Sequence, residues 1–178
     1  MHGQELERDV AWTALQWPGL EHVHLRLDQS GPGWHAAGIA VAVIDGQPTH
    51  VVYELATDPA GAVRRLELRG PVGTISLLAD GHGHWTDRPE LDGCVDVDIA
   101  ITPLTNTLPI RRLNLAVGES AGIDVVYVTV PDLGVRRAGQ RYTRTTSGYR
   151  YSSGSFTADL DVDGDGLVTA YSDLWKRS

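Results

Sequence analysis

Apolar residues recur at every second position in run after run of this chain, with glycine, proline, asparagine and aspartate between the runs. A period of two sends alternate side chains to opposite faces of an extended strand, so a chain patterned this way folds as sheet with one face turned inward. Val23, Leu25 and Leu27 share one face, and His22, His24 and Arg26 share the other. Trp34 to Ile44 is a nearly continuous run of small and apolar residues; Gly38 and its β-branched members favour a strand over a short helix. Asp45-Gly46-Gln47-Pro48 reads as a turn leading into a strand over 49–55, and a hairpin is the simplest linkage. Further runs follow over 63–69, 72–79, 94–101, 111–117, 123–130, 140–146 and 155–162. Their spacing of roughly 8 to 15 residues suits a sandwich or barrel. Helical period is confined to Leu167 to Arg177, where Leu167, Val168, Tyr171, Leu174 and Trp175 fall three and four apart and predict a short helix.

The 178 residues suit one domain spanning 1–178. A fold of that length buries roughly 70% of the surface its unfolded chain exposes, enough for a core without disulfides. The net charge of −8 repels polyanions, so neither nucleic acid nor an anionic membrane surface is expected as a partner. The N-terminal residues lack a basic stretch followed by an apolar one, and nowhere do about 18 apolar residues run together, so neither secretion nor integral membrane association is expected. The single cysteine, Cys94, falls in a strand-like run and reads as a buried thiol; the expected compartment is the cytoplasm.

The most distinctive stretch runs from Leu91 to Leu115. It contains Leu91-Asp92-Gly93-Cys94 with Asp96 and Asp98, then Thr105-Asn106-Thr107-Leu108-Pro109-Ile110-Arg111-Arg112-Leu113. Together with Asp80-Gly81, Gln140-Arg141-Tyr142-Thr143, Tyr149-Arg150-Tyr151 and Asp165-Gly166-Leu167-Val168, it resembles the signature of the bacterial putative glycolipid-binding family. The resemblance extends from Trp12 to Trp175. It implies a mainly β fold, a spiral β-roll in which an open, barrel-like antiparallel sheet of many strands wraps around a single helix. It further implies a tendency to form homodimers and a cavity for a lipid or glycolipid, held without a cofactor.

The residues are compatible with such a wrapped sheet. Val95, Val97, Ile99 and Ile101 line one face of their strand, and Asp96 and Asp98 line the other. Thr105-Asn106-Thr107 reads as a turn, and if the following segment is extended, Arg111 and Arg112 point to opposite faces. The expected ligand-binding residues are Asp96, Asp98, Asn106, Arg111, Arg112, Arg141, Tyr142 and Tyr151, with the arginines and tyrosines as a polar rim that orients the head of a small amphiphile.

Other chemistries are weighed against this. Asp96 and Asp98, about 7 Å apart as same-face neighbours, have the spacing of an acid/base pair for a hydrolase or isomerase, with His82 or His84 as proton shuttle; a structural ion-pair network with Arg111, Arg112 or Arg141 is the simpler reading. Asp161, Asp163 and Asp165 before Gly166 mimic a calcium loop, but the twelfth position is Ser172, and a tight turn is expected. His82-Gly83-His84 lacks the second ligand pair of a zinc site. No serine elbow or phosphate-cradling glycine loop is present. The expectation is therefore a binding protein and not an enzyme, with a hydrolase or isomerase using Asp96 and Asp98, or a ligand-free structural dimer, as the alternatives.

Overall fold

The computed structural model describes residues 5–178, so the first four residues of the expected 1–178 unit lie outside the described residues. Six strands come first: β1 (Glu5–Ala14), β2 (Gly19–Asp28), β3 (Trp34–Ile44), β4 (Gln47–Thr57), β5 (Val63–Gly70) and β6 (Gly73–Leu78). After an irregular stretch come β7 (Asp96–Ile99), a 3-10 turn over Leu104–Asn106 and the helix α1 (Thr107–Leu113). The chain then runs through β8 (Ser120–Val128), β9 (Val135–Arg144), β10 (Gly148–Ser153), β11 (Phe156–Val162), β12 (Val168–Tyr171) and β13 (Trp175–Arg177).

All thirteen strands form one sheet, ordered β6-β5-β4-β3-β2-β1-β13-β12-β11-β10-β9-β8-β7. Two meanders thus meet in the middle, where β1 pairs with β13 and Ala14 lies opposite Trp175. Every pairing is antiparallel except β7 with β8. The sheet does not close. It rolls until the Val63 amide donates to the Val95 carbonyl at 3.1 Å, which brings β5 against the segment entering β7. This is the spiral β-roll, with its helical segment inside.

The period of two becomes burial directly. Val23, Leu25 and Leu27 of β2 are buried while their neighbours are exposed, and β3 and β4 alternate in the same way. The turn joining β3 to β4 has Asp45 at φ 50° and Gly46 at φ 75°, the two left-handed positions that match the twist of a tight hairpin. The main core joins both meanders, with Trp12, Leu25, Leu66, Trp85, Ile99 and Leu108 among its members. The indole of Trp12 donates to the Val168 carbonyl at 2.8 Å and that of Trp85 to the Cys94 carbonyl at 2.9 Å, so neither ring buries an unpaired donor. A second, smaller core gathers Ile110, Tyr142, Tyr149, Tyr151 and Leu160 on the inner face of β9 to β11. The centre of the roll is filled by these side chains.

Two expectations about helix are corrected. The segment Leu167 to Arg177 is the hairpin β12–β13, turning through Ser172 at φ 43°. Its apolar residues fall three and four apart because two short strands flank a tight turn, and β1 offers an open edge that a helix would leave unpaired. The helix lies instead at Thr107–Leu113, where a turn and a strand were expected. Pro109 sits in its first turn, where a missing N–H costs nothing, and Asn114 ends it in the left-handed conformation at φ 44°. Arg111 and Arg112 consequently diverge by about 100°, as consecutive helical residues do, not by the 180° of a strand.

Candidate ligand-binding site

β7 is the innermost strand of the spiral; of its two aspartates Asp96 is buried and Asp98 is half-buried, and the two have different partners. Asp96 is fully buried and accepts two bonds from Arg112 of α1, Nε at 3.1 Å and Nη2 at 2.5 Å. Burial pushes its carboxyl up, against the pull of that guanidinium. Asp98, two residues on, meets only neutral donors: Gln140 Nε2 at 2.6 Å and Thr105 Oγ1 at 3.1 Å. Burial raises its carboxyl as well. Asp96 belongs to an ion pair, whereas Asp98 lines a pocket.

That pocket, of about 240 Å³, opens between the connection from β1 to β2, the end of β7, and strands β8 and β11 to β13. Asp98, Thr102 and Asn106 supply its polar lining; Trp17, Tyr127, Phe156, Tyr171 and Trp175 supply aromatic walls. Trp17 and Trp175 meet edge to face at 88° with centroids 5.4 Å apart, and Phe156 and Tyr171 meet at 63° and 6.5 Å. Asn106 is held by the Tyr142 hydroxyl, which donates to Oδ1 at 2.8 Å. Tyr151 packs against Tyr142, Phe156 and Tyr171, behind the wall. Burial first, and the Asp98 charge second, raise the phenols of Tyr127, Tyr142 and Tyr151, so these rings stay neutral hydrogen-bonding groups.

A second pocket, of about 330 Å³, adjoins the first across Trp17 and Ala100, which line both. Val43, Ile44, Ile101 and Val130 make it mostly apolar, with Asp45 at its edge.

Behind Thr102 lies a buried acid that the sequence reading missed. Glu21 of β2 is fully buried; its Oε2 is 2.6 Å from Thr102 Oγ1 and its Oε1 is 2.5 Å from the Tyr53 hydroxyl. Tyr53 stands on β4, so its ring must cross β3, and it does so over Gly38, where any Cβ would lie 2.3 Å from the ring. Burial lifts Glu21 to about 8, against the two hydroxyls that donate to it and favour its charged form, so at neutral pH the carboxyl is mostly protonated. A signal was present, since Glu21 falls in phase with Val23, Leu25 and Leu27.

The expected arginine and tyrosine rim does not converge. Asp98 and Asn106 line the aromatic pocket, and Tyr142 and Tyr151 support it from behind. Arg112 is bound to Asp96. Arg111 donates to the carbonyls of Asp28, Gly31, Pro32 and Asp165 at 2.9–3.3 Å, clamping two loops together. Both arginines line a separate groove of about 780 Å³. Arg141 is exposed on β9, 3.3 Å from Ser120 Oγ, and lines a fourth depression. Helical geometry turned Arg111 and Arg112 away, and Arg141 follows the outward phase of β9. At the Asp161–Gly166 segment, Asp163 Oδ1 accepts the amides of Asp165 and Leu167 at 3.0 and 3.1 Å, and its Oδ2 pairs with Arg8 and Arg177. It is a tight turn fastened by ion pairs. Among the described residues no three metal-ligating side chains gather, and no helix is long and apolar enough to cross a membrane.

An open thirteen-stranded sheet rolled around one short helix defines the chain as a spiral β-roll protein. The chain belongs to the family described as Putative glycolipid-binding, whose model matches residues 9–177. It is also similar to a crystal structure of a DUF1089 family protein from Pseudomonas aeruginosa, at 38% identity and a TM-score of 0.75, with 89% of this chain and 92% of that one covered. Comparison with curated proteins gives no significant match.

Proposed function

We propose that the protein binds a single amphiphile, a lipid or glycolipid, at the open end of the roll and not in its packed centre. The observation that carries this reading is the adjacency of two pockets of opposite character that share Trp17 and Ala100. A polar head placed against Asp98 and Asn106 leaves an aliphatic portion lying across Trp17 towards Val43, Ile101 and Val130. The apolar pocket, at about 330 Å³, lies at the low end of the roughly 300–1,000 Å³ usual for a small-molecule site and the aromatic pocket, at about 240 Å³, lies below it, so a ligand of ordinary size has to occupy both. The family's description agrees with a ligand of this class. Asp98 serves here as a binding group: Asp96, the second carboxylate a hydrolase would need, is committed to Arg112.

The setting we propose is a cytoplasmic homodimer. The free, buried thiol of Cys94 suits a reducing compartment. On the outer face of the sheet Leu20 pairs with Val41 and Ile39 with Val52, and all four are exposed, forming an apolar patch that a second copy would cover.

The test is native mass spectrometry of the purified protein, followed by calorimetric titration of the delipidated protein with amphiphiles of varied head and chain. One bound molecule per chain, with affinity rising with chain length, is the expected result. A protein that carries and takes up none overturns the reading.

A further inference from the structure

The aromatic pocket contains a charge without a counter-charge. Among the described residues that line it, Asp98 has the sole carboxyl and there is no lysine, arginine or histidine. Its hydrogen-bond partners, Gln140 and Thr105, are both neutral. A carboxylate withdrawn from water normally recovers its lost hydration from a cation, as Asp96 does from Arg112 and Asp163 does from Arg8 and Arg177. Asp98 departs from that pattern, and unlike Glu21, which also has neutral partners, it lines an open pocket.

The walls fit the missing partner. Trp17 with Trp175, and Phe156 with Tyr171, form two aromatic corners around the same space, and Tyr127 adds a fifth ring. Aromatic faces carry negative quadrupole and attract cations that are too weakly hydrated to prefer water, quaternary ammonium groups above all. Tyr127 already shows this affinity, since the Arg136 guanidinium, which does not line the pocket, lies 4.8 Å from its ring centroid. A phosphate or sulfate head would meet Asp98 as a like charge. A sugar would satisfy the hydrogen bonds and leave the charge uncompensated.

We propose that the head bound beside Asp98 is an organic ammonium cation, with Asp98 as its counter-ion and Trp17, Tyr127, Phe156, Tyr171 and Trp175 as its cage. This rests on the reading of the two pockets as an amphiphile site and names the chemistry of its head. The remainder of the ligand extends over the apolar pocket, where Asp45, the charged residue there, also favours a cation.

Three probes of equal tail separate the outcomes: decyltrimethylammonium, decyl glucoside and decyl sulfate, titrated calorimetrically below their micelle concentrations into the delipidated full chain. The ammonium probe should bind at least tenfold more tightly than either of the others. In Asp98→Asn that preference should vanish, the ammonium probe losing at least tenfold in affinity. Tyr127→Leu should weaken ammonium binding severalfold and Tyr127→Phe should restore it, which separates loss of a ring from loss of fold. Glucoside binding as tight as ammonium, or a preference that survives Asp98→Asn, overturns the ammonium proposal and leaves the amphiphile site standing. Failure of all three probes to bind overturns both.

Discussion

Tyr53 reaches Glu21 across an entire intervening strand, its hydroxyl 2.5 Å from the carboxylate and its ring lying in the space that Gly38 leaves empty. The three residues sit on adjacent strands β4, β3 and β2, and Thr102 ties them to the segment that lines the candidate site. A buried acid is thereby tolerated in an otherwise apolar face because both its oxygens are bonded.

Gly38→Ala tests that cradle. The new methyl would occupy the position of the Tyr53 ring, forcing the phenol aside and leaving Glu21 with one partner fewer. Overpacking and an unsatisfied buried group each cost about 1–3 kcal/mol, so a loss of about 3 kcal/mol in denaturant unfolding is expected. A change under about 1 kcal/mol would show that the ring has room to move.

Glu21 also sets a pH dependence. Burial raises it from 4.5 to about 8 in the folded chain, so between those values the folded state holds a proton that the unfolded state has released. Its contribution is fully present below about pH 4.5 and is lost as pH rises through about 8, a decline of up to about 5 kcal/mol. Asp96 and Asp98, also raised by burial, act in the same direction. The difference between wild type and Glu21→Gln isolates the Glu21 share: the variant should gain relative stability as pH rises from 5 to 8.5. Parallel profiles would refute the assignment.

Arg112 should behave as a structural cation. Removing it as Arg112→Ala leaves Asp96 buried and unpaired, which costs on the order of 3–5 kcal/mol. Adding Asp96→Asn to that variant should recover part of the loss, because the uncompensated charge is gone. Thermal unfolding of the two variants decides it, and an equally unstable double variant would contradict the pairing.

The outer apolar patch yields a separate prediction. Val41→Glu places a charge at an exposed position of β3, so monomer stability should change by no more than about 0.5 kcal/mol. Sedimentation should shift from dimer to monomer. A dimer that persists unchanged places the interface elsewhere.

What could be read from the sequence divides along a physical line. Strands such as β2 and β3 were legible because alternation encodes which face is buried, and the left-handed pair Asp45-Gly46 encodes its own hairpin. The helix was misplaced because the apolar spacing of Leu167 to Trp175 is shared by a helix face and by two short strands around a turn. An unpaired edge on β1, a long-range fact, selects between them. Of the candidate site, Asp98 and Asn106 stood out as polar residues in a distinctive segment. That Trp17, Tyr127 and Gln140 gather beside them was not legible, since rolling the sheet is what brings the β1–β2 connection, β8 and β9 around the end of β7. The separation of Asp96 from Asp98 was equally hidden: it depends on α1 presenting Arg112 to one and on the preceding turn presenting Thr105 to the other.

A single amphiphile in this site would span the two pockets across Trp17 and Ala100. Ala100 is exposed and lines both, so Ala100→Trp should block the junction without disturbing the core. Calorimetric titration of the delipidated wild type and of this variant with the tightest-binding probe is the direct measurement. Saturable one-to-one binding to the wild type is expected, with at least a tenfold weaker affinity for the variant at unchanged melting temperature; equal affinity in the two proteins would rule out a ligand that crosses this junction.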